Sequence, residues 1–324
     1  MRAAALLALL ALAAATGGCA GGGGVQPPSD ATLVLDFAPN AVHSGIYLAT
    51  ARGFDKAEGV RLRVRAPASS TDGVKLLAAG RADLAILDIH DLAIARARGQ
   101  DLVAIMAIVQ RPLASVIAQP GVRRPRALEG RRVGVTGLPS DDAVLNAVVR
   151  GDGGDPRAVR RVTIGFAAVP ALLGRRVDAA TAFWNAEGVA LRARRPGMRV
   201  FRVDDYGAPR YPELVLAMER RRLEEDPALA HAVIRALVRG YDEALVDPAS
   251  AVAALVAGAR GVDPKVARAE LDAVEPVLAA PGGRVGVLDR GALRAWARWE
   301  ASSGIVARPP DVDRAFDFGL MPGR

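Results

Sequence analysis

The sequence predicts an α/β protein of two lobes joined by a two-crossover hinge, with a helical C-terminal tail. Strand-like and helix-like segments alternate through two successive blocks, which implies parallel strands with helices on the sheet faces. Beyond Glu219 the pattern becomes almost wholly helical. The chain has 324 residues, 51 % of them hydrophobic, enough for two domains of ordinary size. Aromatics make up only 4 %, so Ala, Val and Leu must build most of the core.

The first block opens with "ATLVLDFA" as a strand, and residues 43–53 as a helix stopping near Gly53. "VRLRVRA" alternates with period two, as a half-buried strand does. "STDGVKLLAAG" is a helix with Ser70, Thr71 or Asp72 as N-cap candidates and Gly80 as its stop. "ADLAILD", "HDLAIARARG" and "LVAIMAIV" complete the block as strand, helix and buried strand.

The second block follows "QPGVRRPRALEG". It reads "RRVGVTG" (strand), "SDDAVLNAVVRG" (capped helix), "VRRVTIG" (strand) and "AAVPALLGRR", a short helix interrupted by Pro170. "VDAATAFW", "NAEGVALRARR" and "MRVFRV" continue as strand, helix and strand. The tail holds four helical stretches: "PALAHAVIRALVRGYDEALVD", "PASAVAALVAGA", "PKVARAELDAVEPVLA" and "RGALRAWARWEAS". The chain is expected to cross between lobes near Leu113–Ala118 and near Pro212–Ala217. Lobe I then comprises 32–112 and 218–324, and lobe II comprises 113–217.

Ahead of the lobes, "MRAAALLALLALAAATGGCAGGGG" has one positive residue, Arg2, and an apolar run from Ala3 to Ala15. A bilayer span takes about 20 residues, so this shorter run reads as the core of a secretory signal over 1–18. Gly17 and Gly18 precede Cys19, the sole cysteine. The pattern resembles a bacterial lipoprotein signal, with Thr16 where an aliphatic residue is usual. It implies lipidation of Cys19, a glycine-rich tether over 19–31, and anchoring to the outer face of the cytoplasmic membrane. A single cysteine forms no intramolecular disulfide.

The net charge is +8, yet Lys56, Lys75 and Lys265 are the only lysines and the arginines are scattered. No dense basic block interleaves with aromatics, so nucleic acid is not an expected partner. In open α/β sheets ligands bind beyond the carboxyl ends of the strands. The loops placed there are "APNAVHSG", "APASSTDG", "DIHD", "TGLPSDD" and "WNAEG". They contribute Asn40, His43, Asp88, His90, Thr136, Ser140, Asp141 and Glu187 as candidate ligand contacts, and Trp184 as an indole face that would stack on a flat ligand or pack between domains. His43, His90 and His231 have no metal-ligand spacing, so no metal centre is expected. Asp88, Asp91, Asp141 and Asp142 are read as helix caps ahead of an acid–base pair. No GxSxG, Walker or GxGxxG loop follows a strand, and no cofactor or catalytic residue is assigned. Two lobes with a cleft and no catalytic set read as a binding protein that closes on a small polar ligand.

"LDFAPNAVHSGIYLATARGF" resembles the opening motif of ABC-transporter substrate-binding proteins of the thiamine-pyrimidine-precursor (ThiY-like) group. The likeness continues through "LLAAGRADLAI", "LEGRRVGVTGLPSDDAVL", "VDAATAFWNAEGVAL" and "VDDYGAPRYPELVLAM", and spans most of residues 32–255. The resemblance implies a type II periplasmic-binding-protein fold and a monomeric receptor that hands a small molecule to an ABC permease and its ATPase. Its motif matches Pro39, Asn40, His43, Gly45 and Tyr47, puts Phe37 where Trp is usual, and aligns Gln110, Asp141, Asp142, Trp184 and Glu187 with polar or aromatic contacts. "LDIHDL" departs from the usual "SYQPEL"-like run and keeps only the acid, Asp91, which leaves the ligand open. A thiamine pyrimidine precursor is the first expectation, with riboflavin or a sulfonate, nitrate or taurine-like anion as alternatives. A eukaryotic branch makes the pyrimidine with a cysteine-rich motif, absent from this sequence. A pyrimidine-synthase-type enzyme and a scaffold that has lost solute binding are the remaining alternatives.

Overall fold

The computed structural model describes residues 28–69 and 71–321. The secretory signal, Cys19 and most of the tether lie outside the described residues, as does Ser70. The order of elements is β1 (Ser29–Val34), α1 (Ser44–Ala51), α2 (Phe54–Ala57), β2 (Val60–Arg65), α3 (Asp72–Ala78), β3 (Leu84–Asp88), α4 (Ile89–Ala97) and β4 (Leu102–Ala107). Then come β5 (Ala114–Ala118), β6 (Arg132–Val135), α5 (Pro139–Gly151), β7 (Arg160–Thr163), α6 (Ala168–Leu173), β8 (Ala179–Phe183), α7 (Glu187–Arg194), β9 (Arg199–Arg202) and β10 (Leu214–Glu219). The tail comprises α8 (Arg220–Glu225), α9 (Pro227–Val246), α10 (Pro248–Gly258), α11 (Pro264–Val274), a small β11–β12 pair (Ala279–Ala280 and Arg284–Val285), α12 (Arg290–Ser302) and α13 (Val312–Ala315).

Two five-stranded sheets carry the fold, in the orders β2-β1-β3-β10-β4 and β7-β6-β8-β5-β9. Each holds three parallel strands, then one antiparallel strand, then the last strand. The antiparallel strands, β10 and β5, follow the two crossovers. The sheets are therefore mixed, where strand–helix alternation predicts parallel pairing alone. All of β10 pairs in the first sheet, so residues 214–217 join it ahead of the expected boundary at 218. β1 likewise begins inside the expected tether, because Ser29, Asp30 and Ala31 pair with Val60, Arg61 and Leu62.

Local chemistry explains most elements. β4 is buried along its whole length, as a continuous apolar run requires. Three Asp-Pro pairs start α9, α10 and α11, with Asp226, Asp247 and Asp263 accepting from first-turn N–H groups and Pro at the first helical position. Pro170 does not interrupt α6: the helix starts at Ala168, so the proline falls in the first turn, where its missing N–H is not needed. α1 lies hard against α9. A Cβ on Gly240 would meet the Gly45 carbonyl at 2.2 Å, and one on Gly45 would meet the Tyr241 ring at 2.4 Å. Glycine at both positions lets the helices approach, and that contact seats the β1–α1 loop. No helix among the described residues is long and apolar enough to cross a membrane.

Candidate functional site

The strand ends of the two sheets border a cleft of about 930 Å³, its solvent-open part included. On the first side stand Asp36 and Phe37 after β1, Asp88 at the end of β3, and His90 and Asp91 in the first turn of α4. On the second side Thr136, Leu138, Ser140 and Asp141 form the β6–α5 turn, Phe166 follows β7, and Phe183 and Glu187 flank the β8–α7 turn. Glu213, on the second crossover, closes the floor.

The mouth is aromatic. Phe37 and Phe166, from opposite sheets, meet edge to face with centroids 4.6 Å apart and planes at 88°. The walls are acidic. Asp141 accepts the Thr136 N–H at 2.6 Å and also its hydroxyl, and burial raises its carboxyl above the ordinary range against those bonds. Its neighbour Asp142 points out to Arg161 at 2.6 Å. Glu187 accepts the Phe183 N–H at 3.2 Å, and burial, with Glu270 and Asp36 nearby, raises it to about 7. Burial likewise lifts Asp91 to about 7, opposed by His90.

The floor is a buried charged network. His90 is paired through Nδ1 with Glu300, from α12, while its Nε2 lies 3.1 Å from the Tyr211 hydroxyl and 3.5 Å from Glu213 Oε1. Burial opposes the imidazolium, but Glu300, Asp88 and Glu213 outweigh it and hold His90 at about 10. Burial also raises Asp88 well above the ordinary carboxylate range, opposed by His90 and reinforced by Glu213 and Asp91. Glu213 Oε2 accepts the N–H groups of Leu113 and Ala114 at 2.6 and 2.8 Å, so one carboxylate ties the two crossovers together.

Of the residues singled out in the sequence, Phe37, Asp88, His90, Thr136, Ser140, Asp141 and Glu187 line the cleft. Pro39, Asn40, His43, Tyr47, Gln110 and Trp184 do not. Asn40 caps the short helix Ala41–His43: its side chain accepts the Val42 N–H, and its own N–H donates to His43 Nδ1 at 3.2 Å. That leaves His43 Nε2 to donate to Asp36 at 2.8 Å, so the fully buried ring positions a cleft acid from behind. Tyr47 packs against α10, where a Cβ on Gly258 would lie 2.5 Å from its ring. Gln110 holds the tail through the Val277 and Val287 carbonyls, accepting its backbone and side-chain N–H at 2.7 and 3.2 Å. Pro39 is half-buried beside the cap.

Trp184 takes the packing alternative. It is 1 % exposed, its N–H donates to the Pro112 carbonyl at 2.9 Å, and the Arg202 guanidinium covers its ring at 4.0 Å. The residue next to it, Phe183, faces the cleft, and neighbouring strand positions point to opposite faces. Asp36, Phe166 and Glu213 belong to the cleft without having been singled out. Asp36 had a signal, the residue after a strand inside a motif already noted. Glu213 also lay in a quoted motif, at the expected crossover, but Phe166 had no such signal, since it reaches the cleft only through sheet packing.

Among known proteins, the chain is 31 % identical over 227 residues to a formylaminopyrimidine-binding protein of Halalkalibacterium halodurans, covering 69 % of each chain. It resembles the structure of the alkanesulfonate-binding protein SsuA from Xanthomonas axonopodis pv. citri bound to MOPS, with a TM-score of 0.73 at 17 % identity over 90 % of this chain and 99 % of that one. A Candida albicans protein described as having the generic periplasmic binding protein fold matches with a TM-score of 0.68 at 15 % identity, over 92 % and 99 % of the two chains. The fold is thus that of the periplasmic binding proteins. The profile of the NMT1/THI5-like family matches residues 40–251, and the chain belongs to that family.

Proposed function

We propose that this chain is an extracytoplasmic receptor for a small, donor-rich heteroaromatic molecule of the aminopyrimidine type, held between the lobes and released to an ABC permease. One observation carries the reading: six carboxyl groups line the cleft, at Asp36, Asp88, Asp91, Asp141, Glu187 and Glu213, and among the described residues no Lys or Arg does. The one cationic group, His90, is paired within the floor. A sulfonate, nitrate or taurine-like anion would meet unfavourable charge there, whereas exocyclic amino groups and ring N–H groups would find acceptors. Phe37 and Phe166 supply the face or edge for a flat ring. The formylaminopyrimidine-binding relative supports the same ligand class.

In this reading Phe37 and Phe166 stack, Asp141 and Glu187 accept from amino groups, and His43 acts through Asp36. The lobe boundaries at 112/113 and near 213/214, and an anchor at Cys19, complete the reading. It includes no chemical reaction.

The test is a thermal-shift and calorimetric panel on the mature protein carrying Cys19→Ser. Formylaminopyrimidine and hydroxymethyl-aminopyrimidine should stabilise it by about 2.7 kcal/mol at a hundredfold excess over Kd. Taurine, MOPS and nitrate should leave the melting temperature unchanged. Binding of an anion in preference to an aminopyrimidine would overturn the proposal, as would conversion of the ligand during the assay.

A further inference from the structure

We propose that the floor of the cleft is a binding site for one first-row divalent cation, held by Asp88, His90 and Glu213. Sequence spacing points away from a metal, because no two histidines are close along the chain. The fold instead joins β3, the first turn of α4 and the second crossover, and brings one ligand atom from each residue within 4.8 Å of the others. His90 Nε2 and Glu213 Oε1 are 3.5 Å apart. Two ligands on a tetrahedral ion with bonds of about 2.1 Å stand about 3.4 Å apart. That edge of a coordination shell is already in place, and Asp88 offers an oxygen within 4.8 Å of both other ligand atoms.

Glu213 makes the second, independent observation. It is fully buried and its Oε1 has no hydrogen-bond partner, while Oε2 is occupied by the Leu113 and Ala114 N–H groups. A buried carboxylate oxygen aimed at an imidazole nitrogen and short of a donor is poised to be a ligand. Glu300 makes the third. By pairing with His90 Nδ1 it fixes the ring so that Nε2 faces the cluster, as a carboxylate does behind metal-bound histidines. The Tyr211 hydroxyl, 3.1 Å from the same nitrogen, is the contact a cation would displace, and the His90 imidazolium would release its Nε2 proton as the cation binds.

The donor set names the metal class. One imidazole nitrogen with two carboxylate oxygens suits Zn²⁺, Mn²⁺ or Fe²⁺, whereas Mg²⁺ and Ca²⁺ favour all-oxygen shells. Three protein ligands also leave a coordination position open. All three residues line the cleft, so a ring nitrogen or carbonyl oxygen of a bound organic ligand can fill it. This goes beyond the receptor reading, and it can fail or hold independently of it.

The experiment uses untagged, chelator-treated protein without an organic ligand. Calorimetry with Zn²⁺ and Mn²⁺, elemental analysis after dialysis, and visible spectra with Co²⁺ are the readouts. One equivalent of metal and a Co²⁺ band are expected. Asp88→Asn keeps a side chain able to cap α4 and should weaken binding at least tenfold. Glu300→Gln should weaken it by about 10- to 100-fold, the range for a lost outer partner. Asp142→Asn, which removes an acid paired with Arg161 outside the cleft, should change nothing. Circular dichroism confirms that each variant is folded. No binding by folded protein, binding that Asp88→Asn leaves intact, or a Co²⁺ spectrum lacking nitrogen ligation would each overturn the proposal. Aminopyrimidine binding by chelated protein would keep the receptor reading whatever the metal result.

Discussion

Two loops of the first sheet each bring an aspartate and a histidine to the end of a strand, and they use them differently. After β1, His43 accepts a hydrogen bond from Asn40 and donates one to Asp36, a local arrangement closed within eight residues of chain. At the end of β3, His90 meets Glu300, Tyr211 and Glu213, all from distant parts of the chain. Both rings are buried, at 0 % and 1 % exposure. The first is held as a single tautomer by a cap, while the second is held charged by surrounding carboxylates. The same residue pair thus makes a positioning element in one loop and an electrostatic centre in the other. What differs is the number of long-range partners.

The sharpest way to break the comparison is to remove each ring. His90→Ala leaves Glu300, Glu213 and Asp88 buried without their cation and should cost about 3–5 kcal/mol in urea unfolding of the chelator-treated protein. A loss below 1 kcal/mol would mean that His90 is not the counter-charge of the floor. His43→Ala removes one hydrogen bond to Asp36 and one from Asn40 and should cost about 2 kcal/mol. If the two losses came out equal, the distinction between local cap and long-range centre would fail.

At the mouth, Phe37→Ala removes one ring of the edge-to-face pair and should weaken aminopyrimidine binding about five- to tenfold, with stability little changed. Calorimetry separates the two effects. A change in stability without a change in affinity would assign the ring to packing alone.

A pH dependence follows from two buried acids, Glu187 in the cleft wall and Glu270 behind it. Glu187 and Glu270 are both raised to about 7 from 4.5, chiefly by burial. Between those values the folded protein keeps a proton that the unfolded chain has released. Stability from these groups is therefore present below about pH 4.5 and lost as pH rises through about 7. Glu187→Gln should flatten part of that decline in unfolding experiments run from pH 5 to 8. An unchanged slope would show that Glu187 is better solvated than its setting implies.

The sequence alone determined the elements whose signal lies within a short stretch of chain. The Asp-Pro starts of α9, α10 and α11, the alternation of β2 and the buried run of β4 all follow from near neighbours. Asp88, Thr136, Ser140, Asp141 and Glu187 were legible as cleft residues because strand ends and first helical turns place them there whatever the rest of the chain does. Tertiary structure decided what those residues face. It inserted β5 and β10 antiparallel into their sheets, turned Trp184 away from the cleft, and set Phe166 against Phe37. It also gathered Glu213 and Glu300 around His90. Capping and periodicity are properties of a short stretch of chain, but a buried charge depends on which distant segments pack around it. No spacing along the sequence encodes that distance.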